Sequence, residues 1–202
     1  MTAPTLPGLE PVRPVPASVA GAAARLYRVA GLDISLTGTG IATLGGTNCI
    51  RTKGRRADTI ADRHKRQQYI TSCVLDEVGT VDLACVEGPS HASMGQAGHH
   101  DLSCLWWRIV GALCEREIPV AIVPPMSRAK YATGKGNSRK AVVLEAARHR
   151  YGAILPNDNE ADALILRAMG LHHLGQPLAE VPDGHRAALA GCQWPDLGAV
   201  TR

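Results

Sequence analysis

Three short apolar runs, separated by longer segments with helical periodicity, constrain the fold of this chain more than any other feature. The runs are LYRVAGLDI (26–34), VDLACVEG (81–88) and PVAIVPP (119–125), and their length and apolar character are typical of buried strands. Helical patterns at 58–78 and 102–117 lie between them, as expected for parallel strands joined by crossovers. The sequence therefore predicts an α/β fold.

Two further strands are predicted after the first apolar run. Segments 40–45 and 47–53 have strand character, and Gly45-Gly46 between them is typical of a hairpin turn. A meander followed by crossover units predicts a mixed five-stranded sheet with helices on both faces.

The C-terminal half contains two more predicted helices, at 139–151 and 160–174. Before them, segment 127–138 has the composition of a basic turn and glycine loop. The residues predicted to cap the two helices are Ser138 for the first and either Asp158 or Asn159 for the second.

A chain of 202 residues with 45% hydrophobic and 20% charged residues is typical of one globular domain. We predict a flexible Pro-rich arm at 1–24, the folded domain at 25–175 and an irregular tail at 176–202. The chain has no apolar run of membrane-spanning length and no secretory pattern at its N-terminus. We therefore expect a cytoplasmic protein without a membrane partner.

Two basic segments indicate a polyanionic ligand. Residues 50–69 contain seven Lys and Arg against two Asp, and residues 126–150 contain seven against one Glu. Together they carry fourteen of the 22 basic residues in the chain. The alternative interpretation is two solvated helix faces, but an acidic site between two basic segments favours a polyanion.

Acidic residues occur where the predicted strands end. Asp33 and Glu87 close two buried strands, and the carboxyl ends of adjacent parallel strands meet at one edge of a sheet. Asp162 and Asp158 lie four residues apart on the last helix and so share one face. Converging carboxylates suit Mg²⁺ or Mn²⁺, and a pair of such ions supports phosphodiester cleavage. The alternative is separate surface carboxylates and a helix cap.

Four segments of the chain, beginning with VAGLDISLTGTGIA (29–42) and VEGPS (86–90), together carry a family resemblance. The first resembles the opening hairpin of RuvC-type Holliday junction resolvases, and the second resembles their second acidic motif. TGKGNSRK (133–140) followed by NDNEADALILRAMG (157–170) is similar to the end of the phage-type branch. The likeness spans roughly residues 27–172, with the motifs in the family's order and spacing.

This resemblance implies an RNase H-like fold, a homodimer and magnesium-dependent symmetric nicking of four-way DNA junctions. It assigns Asp33, Glu87 and Asp162 as catalytic, metal-binding carboxylates, with two Mg²⁺ per subunit, Mn²⁺ as a substitute and no small-molecule cofactor. The family's remaining acid lies three residues before the last Asp, where this chain has Asn159. Asn159 and the adjacent Asp158 are both candidates for this ligand, and we favour Asp158.

The resemblance also assigns basic residues to the DNA. Lys140 and Lys130 match lysines that the family places near the scissile phosphate, and Lys is a mobile point charge suited to that role. The residues predicted to hold the DNA arms are Arg55, Arg56, Lys65, Arg66, Arg128, Lys135 and Arg139.

Other functions remain open from the sequence. GLDISLTGTG (31–40) also resembles the first phosphate loop of actin- and hexokinase-like ATPases, but that fold needs two such domains and this chain is too short. A broader branched-DNA or RNA–DNA hybrid nuclease would share the same acids, and a non-cleaving junction-binding protein would be consistent with Asn159. The excess of Arg over Lys, 17 to five, together with the phage-type motif suggests a phage of a GC-rich host.

Overall fold

The computed structural model of this protein describes residues 25–89 and 98–197. The predicted N-terminal arm and the last five residues of the predicted tail lie outside these ranges. The elements, in chain order, are β1 (Val29–Asp33), β2 (Gly38–Thr43), β3 (Gly46–Arg51), α1 (Ile60–Val78), β4 (Leu83–Glu87), α2 (His99–Glu115), β5 (Val120–Val123), α3 (Pro125–Thr133), α4 (Lys140–Tyr151), α5 (Asp158–His173) and α6 (Asp183–Arg186).

The strands form one mixed sheet in the order β3-β2-β1-β4-β5. β1, β2 and β3 form an antiparallel meander, whereas β1, β4 and β5 run parallel. The predicted five-stranded mixed sheet is confirmed. The hairpin turn is shifted by one residue, because Thr43 pairs with Gly46 and the turn therefore consists of Leu44 and Gly45.

Helices cover both faces of the sheet, as the meander and crossovers predicted. α1 and α2 pack on one face through a cluster that includes Ile70, Val74 and Leu105. α3, α4 and α5 cover the other face through a cluster that includes Leu155 and Met169. α5 is buried without interruption over residues 160–171, so it is the central helix of the second layer.

Two glycines let α5 lie directly against the sheet. A Cβ at Gly31 would meet the carbonyl oxygen of Ala163 at 2.0 Å, and one at Gly40 would meet that of Asn159 at 2.1 Å. No side chain fits at such distances, so both positions require glycine for this approach. The close contact brings the acidic side of α5 to the end of β1.

The predicted loop over 127–138 is wrong for most of its length, because residues 125–133 form helix α3. Pro125 occupies the first helical turn, where its missing N–H costs nothing. Gly134 ends the helix with a left-handed conformation at φ 82°, and its N–H donates to the carbonyl of Lys130. The glycine loop is therefore limited to the residues after Thr133.

Both predicted helix caps differ from the structure. Arg139 holds the N-cap position of α4 without a side-chain hydrogen bond, while the Ser138 hydroxyl contacts that of Thr133 at 2.7 Å. The N-cap of α5 is Asn157, whose side chain accepts a hydrogen bond from the backbone N–H of Glu160. Asn157 also donates to the Glu160 carboxylate, so two hydrogen bonds join the Asn157 side chain to Glu160.

The described part of the C-terminal segment packs against the domain. It contains α6 and a 3₁₀ turn at Ala187–Gly191, and Gln193 pairs with Ile122 of β5. The domain boundary at 175 stays a prediction. None of the helices in residues 25–89 and 98–197 combines the length and the apolar character needed to cross a membrane.

Candidate metal centre

Three carboxylates meet at the carboxyl ends of the central parallel strands. β1 and β4 pair with Leu32 opposite Val86, so Asp33 and Glu87 are the next residues on neighbouring strands. α5 crosses the same edge and contributes Asp162. One carboxylate oxygen from each residue lies within 4.8 Å of the others. The arrangement expected from adjacent parallel strands is therefore present.

The interior position of the cluster shifts the protonation of Asp33 and Asp162. Burial raises the pKa of Asp33 well above its ordinary value of 3.8; the negative charges of Glu87 and Asp162 raise it further, and Arg128 lowers it. Burial also raises the pKa of Asp162 to about 7, despite the opposing effect of Arg128. The cluster is thus short of positive charge, and a cation would stabilise its ionised form.

Arg128 of α3 lies inside this group of acids. Its Nη2 donates to Glu87 Oε1 at 3.3 Å, its Nε lies 3.1 Å from Glu87 Oε2, and its Nη1 donates to Asp162 Oδ1. Burial acts to lower the pKa of Arg128, but the attraction of Glu87, Asp162 and Asp33 outweighs it and the pKa is raised. The guanidinium therefore stays charged among the carboxylates.

A second ion pair lies at the rim of the site. Lys140 Nζ, at the start of α4, donates to Asp158 Oδ2 at 2.6 Å. This hydrogen bond lowers the pKa of Asp158 and raises that of Lys140. The Lys140 charge also acts on Asp33 and Asp162, which places it near the acidic group.

The two candidates for the fourth ligand point to different neighbours. Within the described residues, the one group of three or more His, Cys, Asp or Glu side chains that could hold a metal ion is Asp33, Glu87 and Asp162, and Asp158 does not belong to it. Asp158 faces Lys140, and the Asn159 amide nitrogen lies 3.8 Å from Cys49 Sγ. The candidate metal centre therefore consists of Asp33, Glu87 and Asp162, and Asp158 lies at its border.

The other predicted basic residues are distributed over the surface, apart from Arg128. Arg66 of α1 is partly buried and lies 3.8 Å from Asp58. Lys130 is partly buried on α3. The exposed members of the predicted set are Arg55, Arg56, Lys65, Lys135, Arg139 and Lys140.

A cavity of about 170 Å³ opens beside Asp33 and Glu87. Leu102 and Trp106 of α2 contribute apolar walls, and Trp106 Nε1 donates to the main-chain oxygen of Glu87 at 2.8 Å. This wall removes water from one side of the acids, consistent with the burial that raises the pKa of Asp33.

The fold of this protein is similar to that of solved structures. No protein-family model matches the chain, and no curated protein matches it. The structure of Thermus thermophilus RuvC aligns with 77% of this chain and 99% of its own, with a TM-score of 0.57 and 20% identity. T. thermophilus RuvC in complex with Holliday junction substrate aligns over the same shares, with a TM-score of 0.55 and 19% identity. The predicted RNase H-like fold, of the RuvC type, is confirmed.

The residues at this edge fit a divalent cation. Three carboxylates offer hard oxygen donors within 4.8 Å of one another, and burial and repulsion disfavour the ionised forms of Asp33 and Asp162 without added positive charge. Sequence reasoning identified all three acids. It did not identify the buried position of Arg128, for which the available signal was Pro124-Pro125 at the end of the third apolar run, typical of a helix start beside the strand ends.

Proposed function

We propose that this protein is a structure-selective DNA endonuclease that resolves four-way (Holliday) junctions by metal-dependent paired nicking. The observation that carries the proposal is the convergence of Asp33, Glu87 and Asp162 at one sheet edge of a RuvC-type fold. One structure with this fold contains RuvC with a Holliday junction substrate, which supports branched DNA as the ligand here.

In this proposal, Asp33, Glu87 and Asp162 hold Mg²⁺, two ions per subunit, and Mn²⁺ can replace it. The bound metal supplies a nucleophilic water near neutral pH and charge stabilisation for the leaving oxygen. Asp158 is the further candidate ligand, available when Lys140 turns from it to a DNA phosphate. The apolar side chains of Leu102 and Trp106 beside the acids limit contact with water and so strengthen these electrostatic interactions.

The basic residues are proposed to hold the DNA. The exposed residues Arg55, Arg56 and Lys65 face solvent on one basic segment, and Lys135 and Arg139 on the other. Such cations bind phosphates without reading sequence, so affinity for the junction should fall steeply with salt. Lys140, with Lys130, is proposed to offset the charge that develops on the scissile phosphate.

Symmetric nicking needs two sites, so we also propose a homodimer. Trp107 on α2 is 67% exposed and is a candidate for the contact between subunits. A phage source and a location in the cytoplasm of the host cell remain predictions from the sequence.

The test is Mg²⁺-dependent cleavage of a synthetic four-way junction labelled on each strand. A linear duplex, a replication fork and an RNA–DNA hybrid are assayed beside it. We expect paired nicks in the junction alone. Asp33→Asn should abolish cleavage and keep or tighten junction binding, because repulsion of the phosphate falls. The matched control is Asp76→Asn, which removes one exposed acid from α1 and should leave cleavage unchanged.

Three results would overturn the proposal. Cleavage of forks and hybrids at comparable rates would indicate a broader nuclease. Binding without cleavage in both Mg²⁺ and Mn²⁺ would indicate a non-cleaving junction-binding protein. Normal cleavage by Asp33→Asn would show that the metal site lies elsewhere.

A further inference from the structure

The guanidinium of Arg128 occupies the oxygens that a metal would need. Arg128 is 9% exposed and reaches the acids from α3, on the same side of the sheet as α5. It contacts both carboxylate oxygens of Glu87 and one oxygen of Asp162. These are two of the three residues that could hold a cation.

The charges at this position do not balance. Asp33, Glu87 and Asp162 can carry three negative charges, whereas Arg128 carries one positive charge. One guanidinium is therefore too little compensation for a buried group of three carboxylates, and a divalent cation is better matched to it.

The hydrogen-bond geometry of Arg128 is also incomplete. Its Nε lies 3.1 Å from Glu87 Oε2, yet this buried N–H has no hydrogen-bond partner because it is poorly aligned. A buried donor without a partner is costly, so the guanidinium is held mainly by charge and less by a well-formed network. Its contacts are therefore weaker than a bidentate arginine–carboxylate pair with complete geometry.

We propose that Arg128 is the counter-ion of the metal-free centre and exchanges with divalent metal on Glu87 and Asp162. When metal binds, the guanidinium leaves these oxygens and turns toward the mouth of the site. The inference rests on the proposed function only in taking the three acids as the metal site.

The exchange is tested by titrating Mn²⁺ into the DNA-free protein in a calorimeter. Arg128→Gln should bind Mn²⁺ about tenfold more tightly or better, because the metal no longer displaces a resident cation. Arg128→Lys keeps the charge but loses the fork of donors, so its affinity should lie between the two. The control is Arg116→Gln, which removes one exposed Arg at the end of α2 and should leave the affinity unchanged. Equal or weaker Mn²⁺ binding by Arg128→Gln would overturn the exchange.

A second measurement follows the wild-type protein and uses a variant only to assign the signal. The buried Nε–H of Arg128 should give a protected arginine side-chain NMR signal, assigned by its absence in Arg128→Lys. Saturation with Mg²⁺ should move this signal or expose it to solvent exchange. A signal that stays unchanged at saturating Mg²⁺ would show that arginine and metal coexist, and would overturn the exchange.

The two proposals can fail separately. Failure to cleave the junction, with Mn²⁺ binding that tightens in Arg128→Gln, would overturn the resolvase function and leave the exchange standing. Metal-dependent junction cleavage, with no effect of Arg128→Gln on Mn²⁺ affinity, would support the resolvase function and overturn the exchange.

Discussion

Two groups at the same sheet edge each combine carboxylates with a cation, but they differ in burial and in the direction of the carboxylate pKa shift. The inner cluster consists of Asp33, Glu87, Asp162 and Arg128, and the outer pair consists of Asp158 and Lys140. In the inner cluster Asp162 is 3% exposed and its pKa is raised to about 7. In the outer pair the Lys140 side chain is 73% exposed and the pKa of Asp158 is lowered.

Burial accounts for this difference. In the inner cluster three carboxylates share one buried cation, so burial and the repulsion between like charges disfavour the ionised forms of Asp33 and Asp162 until more positive charge arrives. One carboxylate with one cation at the surface keeps its hydration and is already neutralised. The inner cluster is therefore built to attract a further cation, whereas the outer pair can separate at little cost.

Removing one acid from the inner cluster should have the largest effect. Asp162→Asn should reduce junction cleavage by at least about 10³-fold, because a buried oxygen donor at the reacting centre is lost. Single-turnover cleavage in Mg²⁺ measures the loss, and a gel-shift assay checks that junction binding is retained. A cleavage rate within tenfold of wild type would show that Asp162 is not part of the metal centre.

The stability of the metal-free protein should depend on the inner cluster through pH. The folded-state pKa of Asp162 is about 7 against an ordinary 3.8, so between these values the folded protein holds a proton that the unfolded chain releases. The free energy of unfolding should therefore fall as pH rises from about 4 to about 7, by the order of a few kcal/mol. Urea unfolding in EDTA at several pH values measures this slope.

Asp162→Asn is the control for that slope and should remove a large part of it. Mg²⁺ added at pH 7 should restore stability, since it binds the folded protein and favours the ionised carboxylates. A free energy of unfolding that rises over this pH range in EDTA would contradict the raised pKa.

The outer pair should affect catalysis less than the inner cluster. Asp158→Asn and Lys140→Ala should each reduce cleavage about 10- to 100-fold, as expected for groups that support the reacting centre from its border. Rates measured at saturating protein separate this effect from DNA binding. A loss in Asp158→Asn equal to that in Asp162→Asn would make Asp158 a full member of the metal site.

The smallest expected effect is that of the outer pair on the free energy of unfolding. The Asp158–Lys140 pair should contribute less than about 1 kcal/mol to the free energy of unfolding, because the Lys140 side chain is mostly exposed. A double-mutant cycle with Asp158→Asn and Lys140→Met measures the coupling, which should shrink further at high salt. Coupling well above this value would mean that the pair is less solvated than its exposure indicates.

Local patterns were enough to predict the strands and their acidic ends. Apolar runs of strand length located β1, β4 and β5, and parallel pairing then placed Asp33 beside Glu87. Helix starts were harder to predict. The basic, glycine-containing composition of 127–138 suggested a loop, but Tyr131 and Ala132 are buried against the neighbouring helices and stabilise α3 up to Thr133. Tertiary packing overrode the local signal there.

The sequence by itself determined the sheet, the order of its elements and the three acids at its edge, because these follow from apolar periodicity and from where strands end. It could not show that Arg128 and Lys140 differ in burial and in the acids they contact, since both are cations in one basic segment. Only the tertiary structure decided that Arg128 is buried on Glu87 and Asp162 while Lys140 stays exposed on Asp158. The physical reason is that burial of a charge depends on how α3 and α4 pack against α5, which no local pattern encodes.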